Sequence, residues 1–182
     1  MKFKAGTRRK AIEYEKDLVK YWQDNKTFEK SVELRPASNA YVFYDGPPFI
    51  TGVPHHGTLL SSIIKDAVPR YWTMKGKRVE RVWGWDCHGL PAEVYTEQKL
   101  GITDKREIGT KITLEEYINA CRANMVQTGG EWESTIGRIG RWVDFKGAYK
   151  TMDKDFMESV WWAFKELYEK GKIKKKKKVL MY

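Results

Sequence analysis

The 182 residues predict an α/β fold in which a parallel sheet is flanked by helices. Three observations predict it. First, a short β-branched and aromatic run, Ala40 to Tyr44 (AYVFY), leads into Asp45-Gly46-Pro47-Pro48 and a glycine-containing loop. Second, that loop precedes Leu59, Leu60, Ile63, Ile64, Ala67, Val68, Tyr71 and Trp72, which are spaced as one helix. Third, Arg78 to Trp85 (RVERVWGW) reads as another strand. A connection of this length between two buried strands implies a right-handed parallel crossover.

The elements follow in order. From Arg9 to Phe28, Ala11, Ile12, Tyr14, Leu18, Val19, Tyr21 and Trp22 lie near one face, which predicts an amphipathic helix leading into the domain. Pro69 falls inside the helix after the glycine loop, where its missing donor should kink it or shorten one turn. Pro91 at a first helical position starts a helix toward Leu100, closed by Gly101. Thr113 and Glu116 have capping-box spacing and predict a helix through about Gln127. Gly129-Gly130 marks a break before EWESTIGRIGRWVDF. Asp153 is placed to cap a helix with the face Phe156, Val160, Trp161, Phe164, Leu167 and Tyr168, ended by Gly171 in the left-handed conformation. Trp161 is expected in the core. The remaining KIKKKKKVLMY reads as a basic turn entering a strand with no partner in the chain. The organisation is therefore an N-terminal helical segment over 1–39, an α/β unit over 40–171, and a basic turn and strand over 172–182.

Composition supports one folded domain, since 41% of residues are hydrophobic and eight are Trp. No apolar run could cross a bilayer as a helix, and the charged start, MKFKAGTRRKAIEYEKD, lacks the apolar stretch of a secretory signal. These features predict a cytoplasmic chain without a membrane partner, in which Cys87 and Cys121 are reduced thiols. The net charge of +10 owes six units to the lysines between Lys172 and Lys178, which leaves +4 elsewhere. That run reads as a solvated face, so charge alone does not argue for nucleic acid. A non-catalytic basic α/β module that binds RNA or a partner protein stands as the alternative to an enzyme.

The segment richest in chemistry is Tyr44 to Leu60, YDGPPFITGVPHHGTLL. Gly46, Gly52 and Gly57 allow backbone to approach a ligand, while Pro47, Pro48 and Pro54 stiffen the path between them. Such a loop before a helix N-terminus offers amide donors and a positive dipole to phosphate, and His55 and His56 add ring donors. The same composition also suits a structural loop. No Walker signature and no G-x-G-x-x-G is present. Asp86, at the end of the second strand, can point into the crevice where α/β folds bind ligands, or can be a turn aspartate.

YDGPPFITGVPHHGT resembles the stretch around the H-x-G-H signature of class I aminoacyl-tRNA synthetases. GWDCHGLPAE, from Gly84 to Glu93, resembles the second strand end of their isoleucyl members. The likeness continues through KDAVPRYWTMKG, EWESTIGRIGRWVDF and FMESVWWAFKELYEKG, and covers most of residues 8 to 171. Related leucyl and valyl enzymes differ from Cys87-His88 onward.

The resemblance implies the first half of a Rossmann-like (class I synthetase) sheet, the N-terminal part of a catalytic domain. The implied activity is ATP-dependent conversion of isoleucine to its adenylate and transfer to tRNA(Ile), by a monomer, with magnesium accompanying ATP. Implied ATP-binding residues are Pro48, His55, His56, Gly57 and Thr58, of which His55 and Thr58 are catalytic. Gly46, Pro47 and Asp86 form the implied amino-acid site, with Asp86 on the α-ammonium. Thr58 stands where the signature has its second His, so phosphate stabilisation there is weaker or passes to His56. The family's K-M-S-K-S loop is not in the sequence. Cys87-His88 has no second Cys/His pair, so no zinc is expected.

Overall fold

The computed structural model describes residues 6, 8–49, 53–127 and 129–179. In chain order its elements are α1 (Ala11–Asp24), α2 (Thr27–Glu33), α3 (His56–Met74), β1 (Val82–Trp85), α4 (Leu90–Leu100), α5 (Leu114–Gln127), α6 (Gly129–Arg138), β2 (Asp144–Lys150) and α7 (Lys154–Glu169). β1 and β2 are parallel, and α4, α5 and α6 lie between them in sequence, packed α4 on α5 and α5 on α6.

The helix expected from Arg9 to Phe28 is divided. Asn25 closes α1 by donating from its side-chain Nδ2 to the Tyr21 carbonyl at 2.8 Å, and Lys26 takes a left-handed φ of 48° that turns the chain into α2. Apolar spacing alone does not register this turn, because Phe28 continues the pattern across it.

The expected strand Ala40 to Tyr44 is also corrected. Residues 40–49 run parallel to 78–86 but touch them as a ladder at the two ends, Ala40 with Arg78 and Phe49 with Asp86. The bonds are Tyr41 N–H to Arg78 O at 2.8 Å and Asp86 N–H to Pro48 O at 2.9 Å. Nine steps on one side oppose eight on the other. Pro47 and Pro48 have no N–H to give, so the middle bows away from β1.

β2 carries no expectation from sequence and supplies the regular pairing. Val82 pairs with Asp144, Gly84 with Tyr149 and Trp85 with Lys150, with an irregularity between the first two pairs. Asp144 fills that irregularity by accepting from the amides of Lys146 (2.9 Å) and Gly147 (3.1 Å).

Other local expectations hold at Thr113, Gly101 and Gly171, and the one at Asp153 does not. Thr113 and Glu116 make both capping-box bonds, at 2.9 and 3.2 Å. Gly101 and Gly171 end their helices at φ 64° and 67°. α4 begins one residue earlier than expected, at Leu90, and α3 continues through Pro69 to Met74. Asp153 precedes α7 without capping it, because its carboxylate accepts from the Lys150 amide at 3.0 Å instead.

The core gathers Trp83, Trp85, Cys87, Ala92, Met125, Trp132 and Ile136, with Phe49, Leu59 and Phe145 packed against it. Trp83 and Trp85 meet edge to face at 5.2 Å, and Trp85 and Trp132 at 5.9 Å. Trp161, expected in this core, is 68% exposed, and the face from Val160 to Tyr168 lies open with it. Helical periodicity defines an apolar face but not what covers it. Phe156, by contrast, stacks on Tyr149 at 5.6 Å.

A second junction ties the N-terminal helices to the sheet. The Arg70 guanidinium of α3 stands 4.9 Å from the Trp22 ring and 4.1 Å from the Trp142 ring, and pairs with Asp66. Residues 172–179 form neither helix nor strand, and Leu180–Tyr182, where a strand was expected, lie outside the described residues. Both cysteines are unpaired. No described helix is long and apolar enough to cross a membrane.

Candidate functional site

α3 begins where it does because His55 caps it. The His55 backbone is extended (φ −88°, ψ 168°), and its ring Nδ1 accepts the Thr58 amide at 3.3 Å. Gly57 makes this possible: a Cβ there would stand 3.1 Å from Cε1 and 3.2 Å from Nδ1 of the folded-back ring. With Nδ1 accepting, the neutral ring carries its proton on Nε2, which lies 3.2 Å from Thr58 Oγ1. His55 then donates to Thr58, and the threonine O–H is left to point outward. The amides of His56 and Gly57, in the first turn, have no acceptor within the helix.

This helix end opens on a cavity of about 420 Å³. Gly46, Pro47 and Pro48 form one wall, and His55, Gly57, Thr58, Ser61, Ser62 and Lys65 form the α3 side. Trp83, Trp132 and Arg141 floor it.

The loop that makes the first wall is held by charge. The Asp45 carboxylate, 6% exposed, pairs with Arg141, itself 4% exposed, and with Lys65 Nζ at 2.7 Å. Lys65 directs a hydrogen bond to the Gly46 carbonyl at 2.8 Å. Arg141 also donates to Ser62 Oγ at 3.2 Å and lies 5.0 Å from the Trp83 ring centre. The Tyr149 hydroxyl donates to the Asp45 carbonyl at 3.2 Å. Burial, then the nearby Asp45 and Asp86 carboxylates, pushes the Tyr149 phenol above its ordinary value, so it stays a donor. Tyr149 reaches this position across Gly84, where any Cβ would overlap its ring.

Six of the residues singled out from sequence therefore share one cavity: Gly46, Pro47, Pro48, His55, Gly57 and Thr58. His56 and Asp86 do not line it. His56 is exposed on the first turn of α3. Asp86 is half-buried just after β1, beside Phe49, with its amide bonded to the Pro48 carbonyl. Gly52 lies outside the described residues. Sequence reasoning missed Lys65, Arg141 and Tyr149, and it quoted Asp45 without a role. Lys65 had a signal, because it sits seven residues, two turns, after Thr58 on one face of α3. Arg141 and Tyr149 had none, since both come from distant segments. Among the described residues no group of three His, Cys, Asp or Glu could hold a metal ion.

The family described as tRNA synthetases class I (I, L, M and V) matches residues 17–182. The chain belongs to that family. An isoleucine--tRNA ligase of Wolbachia pipientis wMel is 53% identical over 171 residues, which is 94% of this chain and 15% of that protein. One of Rickettsia bellii (strain OSU 85-389) is 52% identical over 168 residues, 92% of this chain and 15% of that protein. The class I tRNA synthetase chain described here thus spans about 15% of the length of these curated relatives. A solved LeuRS–tRNA–LeuAMS ternary complex of Agrobacterium radiobacter K84 matches its fold with a TM-score of 0.60 at 17% identity, over 86% of this chain and 17% of that one.

Proposed function

We propose that this class I tRNA synthetase chain is the N-terminal part of an isoleucine–tRNA ligase, carrying one side of the site where ATP and isoleucine form isoleucyl-adenylate for transfer to tRNA. The observation that carries the reading is the cavity at the start of α3, where the Gly46-Pro47-Pro48 wall faces His55, Gly57 and Thr58. The identity to isoleucine--tRNA ligases supports the choice of amino acid.

In-line attack of a carboxylate on the α-phosphate needs positioning and charge stabilisation more than covalent help. The positive end of α3 and its free amides supply the stabilisation, with Thr58 donating its hydroxyl proton to a phosphate oxygen. His55 orients that hydroxyl through Nε2, and its own ring turns to phosphate when the bond to Thr58 opens. His56 adds a further donor on the same turn. Once the His55 ring has turned away, Gly57 leaves room for adenine against the backbone. Gly46 and Pro47 bound the side-chain pocket, and Asp86 takes the α-ammonium. No described residues form a cluster suited to magnesium, so no step is assigned through it. Such a protein acts in the cytoplasm, as a monomer on tRNA(Ile).

Isoleucine-dependent ATP–pyrophosphate exchange by the full-length protein tests the reading. Exchange with isoleucine, lost on Asp86→Ala and lowered about 100-fold on Thr58→Ala, is the expected result. Absence of exchange with isoleucine in the unsubstituted full-length protein overturns it.

A further inference from the structure

Three of the four residues 45–48 are tied down separately. The Asp45 carboxylate is gripped by Lys65 from α3 and by Arg141 from the α6–β2 connection, and its carbonyl is held by Tyr149 from β2. The Gly46 carbonyl takes a bond from Lys65, and the Pro48 carbonyl one from the Asp86 amide. Pro47, between them, has a fixed φ and no donor. A cavity wall made of backbone is thus immobilised mainly by side chains, of which Lys65 and Arg141 themselves line the cavity beside it.

We infer that Lys65 and Asp45 are positioning residues that set where the Gly46-Pro47 wall stands, and through it the depth of the aliphatic pocket. The inference rests on the proposed function for what fills that pocket. One methylene in an apolar pocket discriminates substrates about 10- to 200-fold, and only a wall that does not yield can enforce it. A misplacement of about 1 Å is enough to lose much of such an advantage. Lys65 is the separable member of the cluster. Its removal frees the Gly46 carbonyl, while Asp45 keeps Arg141 and Tyr149 and the fold keeps its buried pair.

The test is Lys65→Met in the full-length protein, with exchange measured for isoleucine and for valine. The KM for isoleucine should rise about 10-fold, the size of one charge-assisted hydrogen bond. The isoleucine-to-valine ratio of kcat/KM should fall about 5-fold or more, with kcat and the KM for ATP within about twofold. Lys65→Arg should restore most of the loss. A fall in kcat at unchanged KM for isoleucine, a rise in the KM for ATP instead, or no change overturns the inference. If the unsubstituted protein shows no exchange at all, the proposed function fails, and hydrogen exchange on this chain still decides the clamp. The Asp86 amide, bonded to Pro48, should exchange about 10-fold faster in Lys65→Met while the amides of α5 are unaffected. An unchanged Asp86 rate overturns the clamp.

Discussion

Replacing Arg141 by methionine removes a guanidinium that belongs to a side chain 4% exposed and stands 5.0 Å from the Trp83 ring centre. Breaking one side of a buried ion pair costs about 3–5 kcal/mol, because the surviving charge stays buried without its partner. Here Lys65 remains 2.7 Å from Asp45, which places the expected loss at the lower end, about 3 kcal/mol. For a chain of this size each kcal/mol moves Tm by about 2–4 °C, so Arg141→Met should melt about 6–12 °C below the parent. Asp45→Asn should cost a comparable amount, since it strands the Arg141 cation instead. In the double variant the one unpaired member is Lys65, whose side chain is 30% exposed and reaches water. The two substitutions should therefore couple by about 2 kcal/mol in urea denaturation followed by circular dichroism. Additivity within about 0.5 kcal/mol would refute the claim that this pair holds the loop.

Gly84→Ala should destabilise by about 1–3 kcal/mol in the same assay, because its Cβ meets the Tyr149 ring, and adding Tyr149→Leu should recover part of the loss. Hydrogen bonds from Lys111 first, then from the Thr103 hydroxyl and amide, hold the Glu107 carboxyl at about 2, below its ordinary 4.5. A lowered folded value means that its contribution is complete above pH 4.5 and is lost as pH falls toward 2. A carboxyl chemical-shift titration should find Glu107 ionised at about pH 3, and a midpoint near 4.5 would contradict the geometry. Burial raises the Cys87 thiol above its ordinary value, so iodoacetamide near pH 8 should label Cys121 first by peptide mass mapping. Faster labelling of Cys87 would show that the end of β1 is open.

What the sequence disclosed depended on how local each signal was. The capping box at Thr113, the proline at the start of α4 and the glycines after α4 and α7 act over a few residues, and those elements fall within a residue or so of expectation. β2 was not legible, because DFKGAYK neither alternates cleanly nor runs apolar, and its first bonds are made by the Asp144 side chain. Trp161 misled because an apolar helix face looks the same in sequence whether or not the described chain covers it. The site divides along the same line. Gly46, Pro47, Pro48, His55, Gly57 and Thr58 are close in sequence, and one reading of that stretch picks out these residues of the same cavity. The cations that hold them lie 20 and 96 residues from Asp45, where no spacing rule connects them.

The extra residue that bows 40–49 away from β1 changes what its backbone is free to do. A flush strand would exhaust its amides and carbonyls on its neighbour and leave nothing for a visitor. By arching, this stretch keeps the Gly46 carbonyl for the Lys65 ammonium and turns its inner surface toward open volume. A single-residue misfit between two otherwise parallel tracks is in this sense the source of the recess itself. Shortening 41–46 by one residue would straighten the path and close it.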